Sequence, residues 1–315
     1  MSTTSTEPAP DSAPARLPGV VSGRRAALVV VAGLFAFTAA IVASMTAARV
    51  VHGAAADLAR TATAFVVELV LLGAILRVAR IDAKSIGLGL ERRDAARFGT
   101  GVLLGAGAIV ATIALIALAG GVHVAMAPRA QWPVAQSFAL HFFATAFGAT
   151  FEEVAFRAAL VGVLALAVRR EIAIAIPAVL FGLAHAGNHG ATVYSIANTA
   201  IAALVLEALF LLPTRDGPTR DGRPPSLAAS TGFHLVWNFA VSAVLGLVVS
   251  GGGTSSHFID VSIPAGVWSG GAYGIEASPA TTVTYGLGAA VALAMVFRGR
   301  ARDGRISQGP DASAE

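Results

Sequence analysis

Two adjacent glutamates lie inside a strongly apolar stretch of this sequence. Residues 151–157 read Phe-Glu-Glu-Val-Ala-Phe-Arg, so Arg157 follows Glu153 by four positions and Glu152 by five. On an α-helix, residues four apart share a face and can form an ion pair. Glu153 is therefore the better partner for Arg157. Glu152, without that partner in a low dielectric, is the candidate general base.

Two later apolar stretches add imidazole and carboxamide groups. His185 ends the segment Phe-Gly-Leu-Ala-His, and Pro177 upstream removes one backbone donor from that helix. His234 and Asn238 lie four residues apart in a third stretch and share one helical face. One carboxylate, two imidazoles and a carboxamide can activate a water molecule and stabilise an oxyanion, with or without zinc. This set suits a hydrolase.

The same side chains also have a structural interpretation. Polar groups in membrane bundles often serve only to hold helices together, at about 0.6 kcal/mol per hydrogen bond. An ion cluster is a costly way to do so, because charges inside a bilayer are expensive. Glu68 and Glu207 are solitary, and we interpret them as structural or lipid-edge residues, with Glu207 as a secondary candidate for a cavity wall.

The composition places the chain in the membrane class. Of 315 residues, 56% are hydrophobic and only 13% charged, with a mean hydropathy of +0.73. The apolar runs are long enough to cross a hydrocarbon core of roughly 30 Å. Cysteine is absent, which excludes disulfides, a thiolate nucleophile and a cysteine-ligated metal. The basic residues lie in short clusters between the apolar runs, so they indicate topology and not nucleic-acid binding.

We predict an all-α polytopic fold of about eight transmembrane helices. Residues 1–23 and 299–315 are predicted to be disordered tails, and 24–298 a transmembrane domain with its catalytic core at about 134–250. The predicted spans are 26–48, 61–79, 98–119, 134–168, 172–187, 191–213, 227–250 and 280–297.

The basic residues also predict the orientation. If the N-terminal side is cytoplasmic, 18 of the 22 lysines and arginines fall in cytoplasmic segments. Only Arg49, Arg60 and Arg129 fall outside, while Arg157 lies within the fourth span. We therefore expect both termini to be cytoplasmic and the loop at about 251–279, which has no basic residue, to be external.

Three ordered motifs resemble those of the CAAX-protease and bacteriocin-processing family of intramembrane proteases, also called CPBP or Abi. The family carries Glu-Glu-x-x-x-Arg, Phe-x-x-x-His and His-x-x-x-Asn on successive membrane helices. The matching residues here are Glu152, Glu153 and Arg157; Phe181 and His185; and His234 and Asn238. Ala158 departs from the pattern, because the family often has glycine after the arginine.

The resemblance implies a role for each residue. Glu152 would be the general base, assisted by His185, while His234 and Asn238 would hold the water or the developing oxyanion. Glu152, His185 and His234 could instead hold Zn²⁺ with an open water position. A metal-free pair of Glu152 and His185 could also activate water.

The expected partners are the lipid bilayer and a peptide or membrane-protein substrate, with no nucleic acid. The bias towards Ala, Gly and Arg favours a bacterial plasma membrane. The sequence leaves open prenylated C termini, peptide precursors, leader peptides and membrane-protein tails as substrates.

The sequence also leaves two other functions open. One is an ion- or proton-coupled transporter, which would typically show internal repeats. The other is a non-catalytic immunity or scaffold protein.

Overall fold

The computed structural model describes residues 21–212, 225–253 and 256–307, with only the backbone described for Ala54 and for 299–307. Residues 1–20 of the N-terminal tail predicted for 1–23 thus lie outside the described residues. Gly23 already begins the first helix. At the other end, the last helix continues to Ser307, past the predicted domain boundary at Arg298.

The described residues are mostly helical, as predicted. Their α-helices are α1 (Gly23–Val50), α2 (Ala56–Ala79), α3 (Asp94–Gly120), α4 (Ala135–Glu153), α5 (Val163–Ala165), α6 (Arg170–Ala184), α7 (Val193–Leu211), α8 (Ala228–Phe239) and α9 (Pro279–Ser307).

Two π-helices interrupt the regular helices beside the predicted site. The first, Val154–Gly162, joins α4 to α5 directly after Glu153. The second, Ala240–Val244, follows α8 soon after Asn238. Such i→i+5 segments are rare and often accompany functional sites.

Five of these helices are long and apolar enough to cross a membrane: α1, α2, α3, α7 and the part of α9 up to Arg298. The other predicted spans are less regular. Helix α6 has 15 residues and α8 has 12, or about 22 and 18 Å at 1.5 Å per residue. Both are shorter than a hydrocarbon core of roughly 30 Å. The structure thus supports a polytopic bundle, while the number eight stays a prediction.

A small antiparallel sheet departs from the predicted all-α class. Strand β1 (His123–Met126) pairs with β2 (Ile259–Ser262). Each strand has only four residues, and the partners are far apart in the chain, so no local sequence pattern reveals them. The pairing holds the α3–α4 connection against the α8–α9 connection. These two loops therefore lie at the same end of the bundle, as the alternation of spans requires.

Helix α8, which carries His234 and Asn238, packs closely on α3 through glycines. A Cβ atom added to Gly101 would lie 2.0 Å from the carbonyl oxygen of Ala229, and one added to Gly232 would lie 2.3 Å from that of Phe98. Small residues allow helix backbones to approach in this way. On its other side, α8 buries Phe233 and Trp237 in the largest apolar cluster, together with side chains of α3, α7 and α9.

Candidate active site

The ion pair predicted from the sequence is present at the end of α4. Arg157 Nη1 lies 3.2 Å from Glu153 Oε1, and both side chains are 0% exposed. The Arg157 guanidinium also lies over the ring of Phe181, with Cζ 4.4 Å from the ring centroid, a cation–π contact. Glu153 and Phe181 thus compensate a cation that would otherwise be costly to bury.

Glu152 has a different environment from its neighbour. It lines a cavity of about 500 Å³, and its side chain retains 29% exposure. Its Oε2 atom lies 3.9 Å from His185 Nε2 and 3.7 Å from His234 Nε2. Within the described residues, Oε2 has no hydrogen-bond partner. The Oε2 atom is itself buried, so Glu152 presents an unpaired carboxylate oxygen to the two imidazoles.

His185 is held in one orientation by the residue that begins its motif. It lies at the C-terminal end of α6, and its Nδ1 is 2.8 Å from the carbonyl oxygen of Phe181. A carbonyl oxygen can only accept, so Nδ1 carries the hydrogen in this bond. The remaining nitrogen, Nε2, points towards Glu152. Phe181 thus orients His185 through its backbone and covers Arg157 with its ring.

His234 bridges the two glutamates. Its Nδ1 lies 2.9 Å from Glu153 Oε1, while Nε2 lies 3.7 Å from Glu152 Oε2. The buried Glu153 thus binds both Arg157 and His234, which links α4 to α8. One turn further along α8, Asn238 also lines the cavity. The structure therefore brings together all six predicted residues: Glu152, Glu153, Arg157, His185, His234 and Asn238.

The cavity wall that the α8–α9 connection contributes was not identified from the sequence. Glu276, in the loop assigned to the exterior, accepts hydrogen bonds from Trp237 Nε1 (3.0 Å) and from the backbone N–H and the hydroxyl of Ser250 (2.6 Å each). Trp237, Ser250 and Glu276 all line the cavity. Glu276 lies in a Gly- and Ser-rich loop far from α8 in sequence, so no spacing rule connects it with the motifs.

The two solitary glutamates are not at the lipid edge. Glu68 and Glu207 are both fully buried, and their carboxylate oxygens have no hydrogen-bond partner among the described residues. Glu207 is not among the cavity-lining residues, but it lies close enough to Arg157 and Glu153 to interact with their charges. The lining of the cavity thus gives no support to the cavity-wall role considered for Glu207.

The donor set has the chemistry for zinc, but its geometry gives zinc no support. Both imidazoles use Nδ1 for a second partner and leave Nε2 towards Glu152, as metal-binding histidines often do. Within the described parts of the chain, however, no group of three or more His, Asp or Glu side chains is arranged to hold a metal ion.

Comparisons with known proteins identify the segment that carries the site. Searches of curated proteins and of solved structures gave no match. Residues 133–240 match the family model described as "Type II CAAX prenyl endopeptidase Rce1-like". The match covers all three motifs and confirms the resemblance inferred from them. Residues 133–240 of this chain are therefore similar to the type II CAAX prenyl endopeptidase Rce1-like family.

Proposed function

We propose that this protein is an intramembrane endopeptidase that hydrolyses a peptide bond with a water molecule activated by Glu152. One observation supports this most directly. Glu152 Oε2 faces the Nε2 atoms of His185 and His234 inside a cavity, at 3.9 and 3.7 Å. The family match over the same segment supports a protease. The cavity, about 500 Å³, has room for an extended peptide segment of a few residues.

In the proposed reaction, Glu152 takes a proton from water, and the resulting hydroxide attacks the carbonyl carbon. His185, held by Phe181, keeps its Nε2 towards Glu152 and the water. The His234 imidazolium, placed between the carboxylates of Glu152 and Glu153, donates Nε2–H to the tetrahedral oxyanion, and the Asn238 amide donates a second hydrogen bond. The protonated Glu152 then delivers its proton to the leaving amine as the carbon–nitrogen bond breaks.

The transporter alternative needs a pathway that reaches both sides of the membrane. All nine residues of the first π-helix, directly after Glu153, are buried. Buried residues thus bound the cavity on that side. This observation favours a hydrolytic site over an ion pathway.

Membrane peptides from cells that carry the wild-type protein or Glu152→Gln test the proposal. Glu171→Gln is the matched control, because Glu171 lies in the first turn of α6 and is not a cavity-lining residue. We expect a set of cleavage peptides to be present in cells with the wild-type protein or Glu171→Gln and to be absent from cells with Glu152→Gln. Identical peptide sets in all three strains would reject the protease.

Zinc dependence is tested on purified protein by metal analysis and by chelator treatment. Because the described residues offer no metal-binding group, we expect substoichiometric zinc and full cleavage of a reporter peptide after chelation. One zinc per chain, with chelator inhibition that added zinc reverses, would instead assign Glu152, His185 and His234 as ligands.

A further inference from the structure

The catalytic cavity is lined by chain connections from one end of the bundle. Asn188 and His189 belong to the turn between α6 and α7, and Ser250 to the connection between α8 and α9. Glu276 lies just before α9, and Arg60 is in the first turns of α2, after the C-terminal end of α1. Two helix–helix connections and the first turns of α2 at the same end thus contribute to one cavity.

Close backbone contacts hold this end together. The Gly251 N–H donates to the carbonyl oxygen of Tyr273 at 2.9 Å. A Cβ atom on Gly251 would lie 2.1 Å from the carbonyl oxygen of His189. The α8–α9 connection therefore rests directly on the α6–α7 turn. The β1–β2 sheet adds the α3–α4 connection to the same end.

The opposite end of the bundle carries most of the basic residues. There, the chain between α2 and α3 includes Arg80, Lys84 and Arg92, and the chain before α6 includes Arg169. Cytoplasmic loops are enriched in arginine and lysine. The end that lines the cavity is therefore the extracytoplasmic end.

Counting along the helices places both histidines within the membrane but does not decide the side of access. Helix α6 begins at Arg170, at the basic end, and reaches His185 after 15 residues, or about 22 Å at 1.5 Å per residue. Helix α8 also begins at the basic end, at Ala228, and His234 follows after six residues, or about 9 Å. The direction of access therefore rests on the cavity lining. Among the described residues, the buried Glu153–Arg157 pair and the buried π-helix Val154–Gly162 lie next to Glu152 on the cytoplasmic side.

We propose that the active site takes its substrate from the extracytoplasmic side of the membrane. The substrate class is a polypeptide segment that emerges on that side next to a membrane-embedded stretch. Within the described residues, the buried Glu153–Arg157 pair and the buried π-helix lie between Glu152 and the basic end, so a soluble cytoplasmic C terminus would have to displace them to reach Glu152. This inference rests on the proposed endopeptidase function for its substrate, and on cavity geometry for its direction.

Cysteine accessibility tests the direction without using catalysis. The chain contains no cysteine, so each substitution provides one reactive thiol. Ala202→Cys places it in the cavity wall on α7, away from the catalytic side chains. Val267→Cys marks the loop end, Leu90→Cys marks the basic end, and both positions are exposed. Ala208→Cys, fully buried in the same helix, is the matched control.

The probe is a charged, membrane-impermeant methanethiosulfonate reagent, applied to intact spheroplasts and to inverted membrane vesicles. We expect Ala202→Cys and Val267→Cys to react in spheroplasts, Leu90→Cys to react only in inverted vesicles, and Ala208→Cys to react in neither. If Ala202→Cys reacts from neither side, His189→Cys at the exposed end of the cavity replaces it. We then expect His189→Cys to react in spheroplasts.

Reaction of the cavity thiol only from the Leu90 side would overturn the inference, as would labelling of Leu90→Cys in spheroplasts. Failure of the protease proposal would look different. The cavity thiol would still react from outside, while the membrane peptides of wild-type and Glu152→Gln cells would be the same.

Discussion

Glu152 and Glu153 are neighbours in sequence, yet their side chains meet different surroundings. Successive residues of an α-helix point about 100° apart, so one carboxylate faces the cavity while the other faces Arg157 and His234. The buried carboxylate is compensated by two cationic or hydrogen-bonding partners. Glu152 retains partial solvent access and has no hydrogen bond at Oε2 among the described residues.

This difference predicts opposite effects for two matched substitutions. Glu152→Gln keeps the shape of the side chain and removes only the proton acceptor, so we expect a normal melting temperature and turnover lowered by about 10²- to 10⁴-fold. Glu153→Gln leaves Arg157 buried without its counter-charge, which costs on the order of 3–5 kcal/mol. We therefore expect lower yield and a lower melting temperature for that variant. Thermal unfolding and reporter-peptide cleavage, measured on both purified proteins, check this.

A stable but inactive Glu153→Gln beside an active Glu152→Gln would show that the base and the structural partner are reversed.

At the scale of elements, the helices that carry the site are the irregular ones. Helix α4 gives way to a π-helix after Glu153, α6 ends at His185 after 15 residues, and α8 becomes a π-helix shortly after Asn238. Long regular helices such as α1 and α3 surround them. Hydropathy identifies the regular helices readily, because every turn faces lipid or core. It gives weaker signals where functional polar residues interrupt the apolar pattern.

Helix α3 contains no catalytic residue, yet the structure predicts that it controls the position of α8. Gly101→Ala would bring a methyl group to 2.0 Å from the Ala229 carbonyl oxygen. We expect the two helices to move apart, which shifts His234 and Asn238 and lowers turnover at least tenfold, because small displacements of catalytic groups are costly. The matched control is Gly99→Ala, on the same helix, where a Cβ atom would meet nothing within 4 Å.

Cleavage assays and melting temperatures of the two glycine variants decide the point. Equal activity in both would contradict the proposed role of the α3–α8 contact.

At the scale of the whole molecule, the β1–β2 sheet connects two loops that hydropathy treats as unrelated. The Ala127 N–H donates to the carbonyl oxygen of Phe258. By the alternation of an antiparallel ladder, Met126 and Ile259, which are register partners, form a non-hydrogen-bonded pair with Cα atoms about 4.5 Å apart. This separation suits a disulfide.

Met126→Cys combined with Ile259→Cys should therefore form a disulfide in intact cells without added oxidant. Disulfides persist in oxidising compartments outside the cytoplasm, so the cross-link reports both the register and the side of the membrane. The control pair is Ala125→Cys with Ile259→Cys, because neighbouring residues of a strand point to opposite faces. Thiol-alkylation gel shifts measure both pairs. Fully reduced thiols in the first pair would contradict the register or the orientation.

The sequence alone determined the helical membrane class, the approximate bounds of the helices and the residues of the three motifs. It could do so because membrane burial imposes long apolar runs, and because a four-residue spacing places Glu153 and Arg157 on one helical face. These signals are local, and each is readable within one helix.

Only the tertiary structure decided how the motifs meet and what encloses them. It brought His234 between two glutamates of another helix, placed Phe181 against Arg157, and folded Glu276 over the cavity from a distant loop. It also replaced regular helix by π-helix beside the site and added a small sheet. These features depend on contacts between residues far apart in the chain, and such contacts leave no periodic pattern in a single sequence.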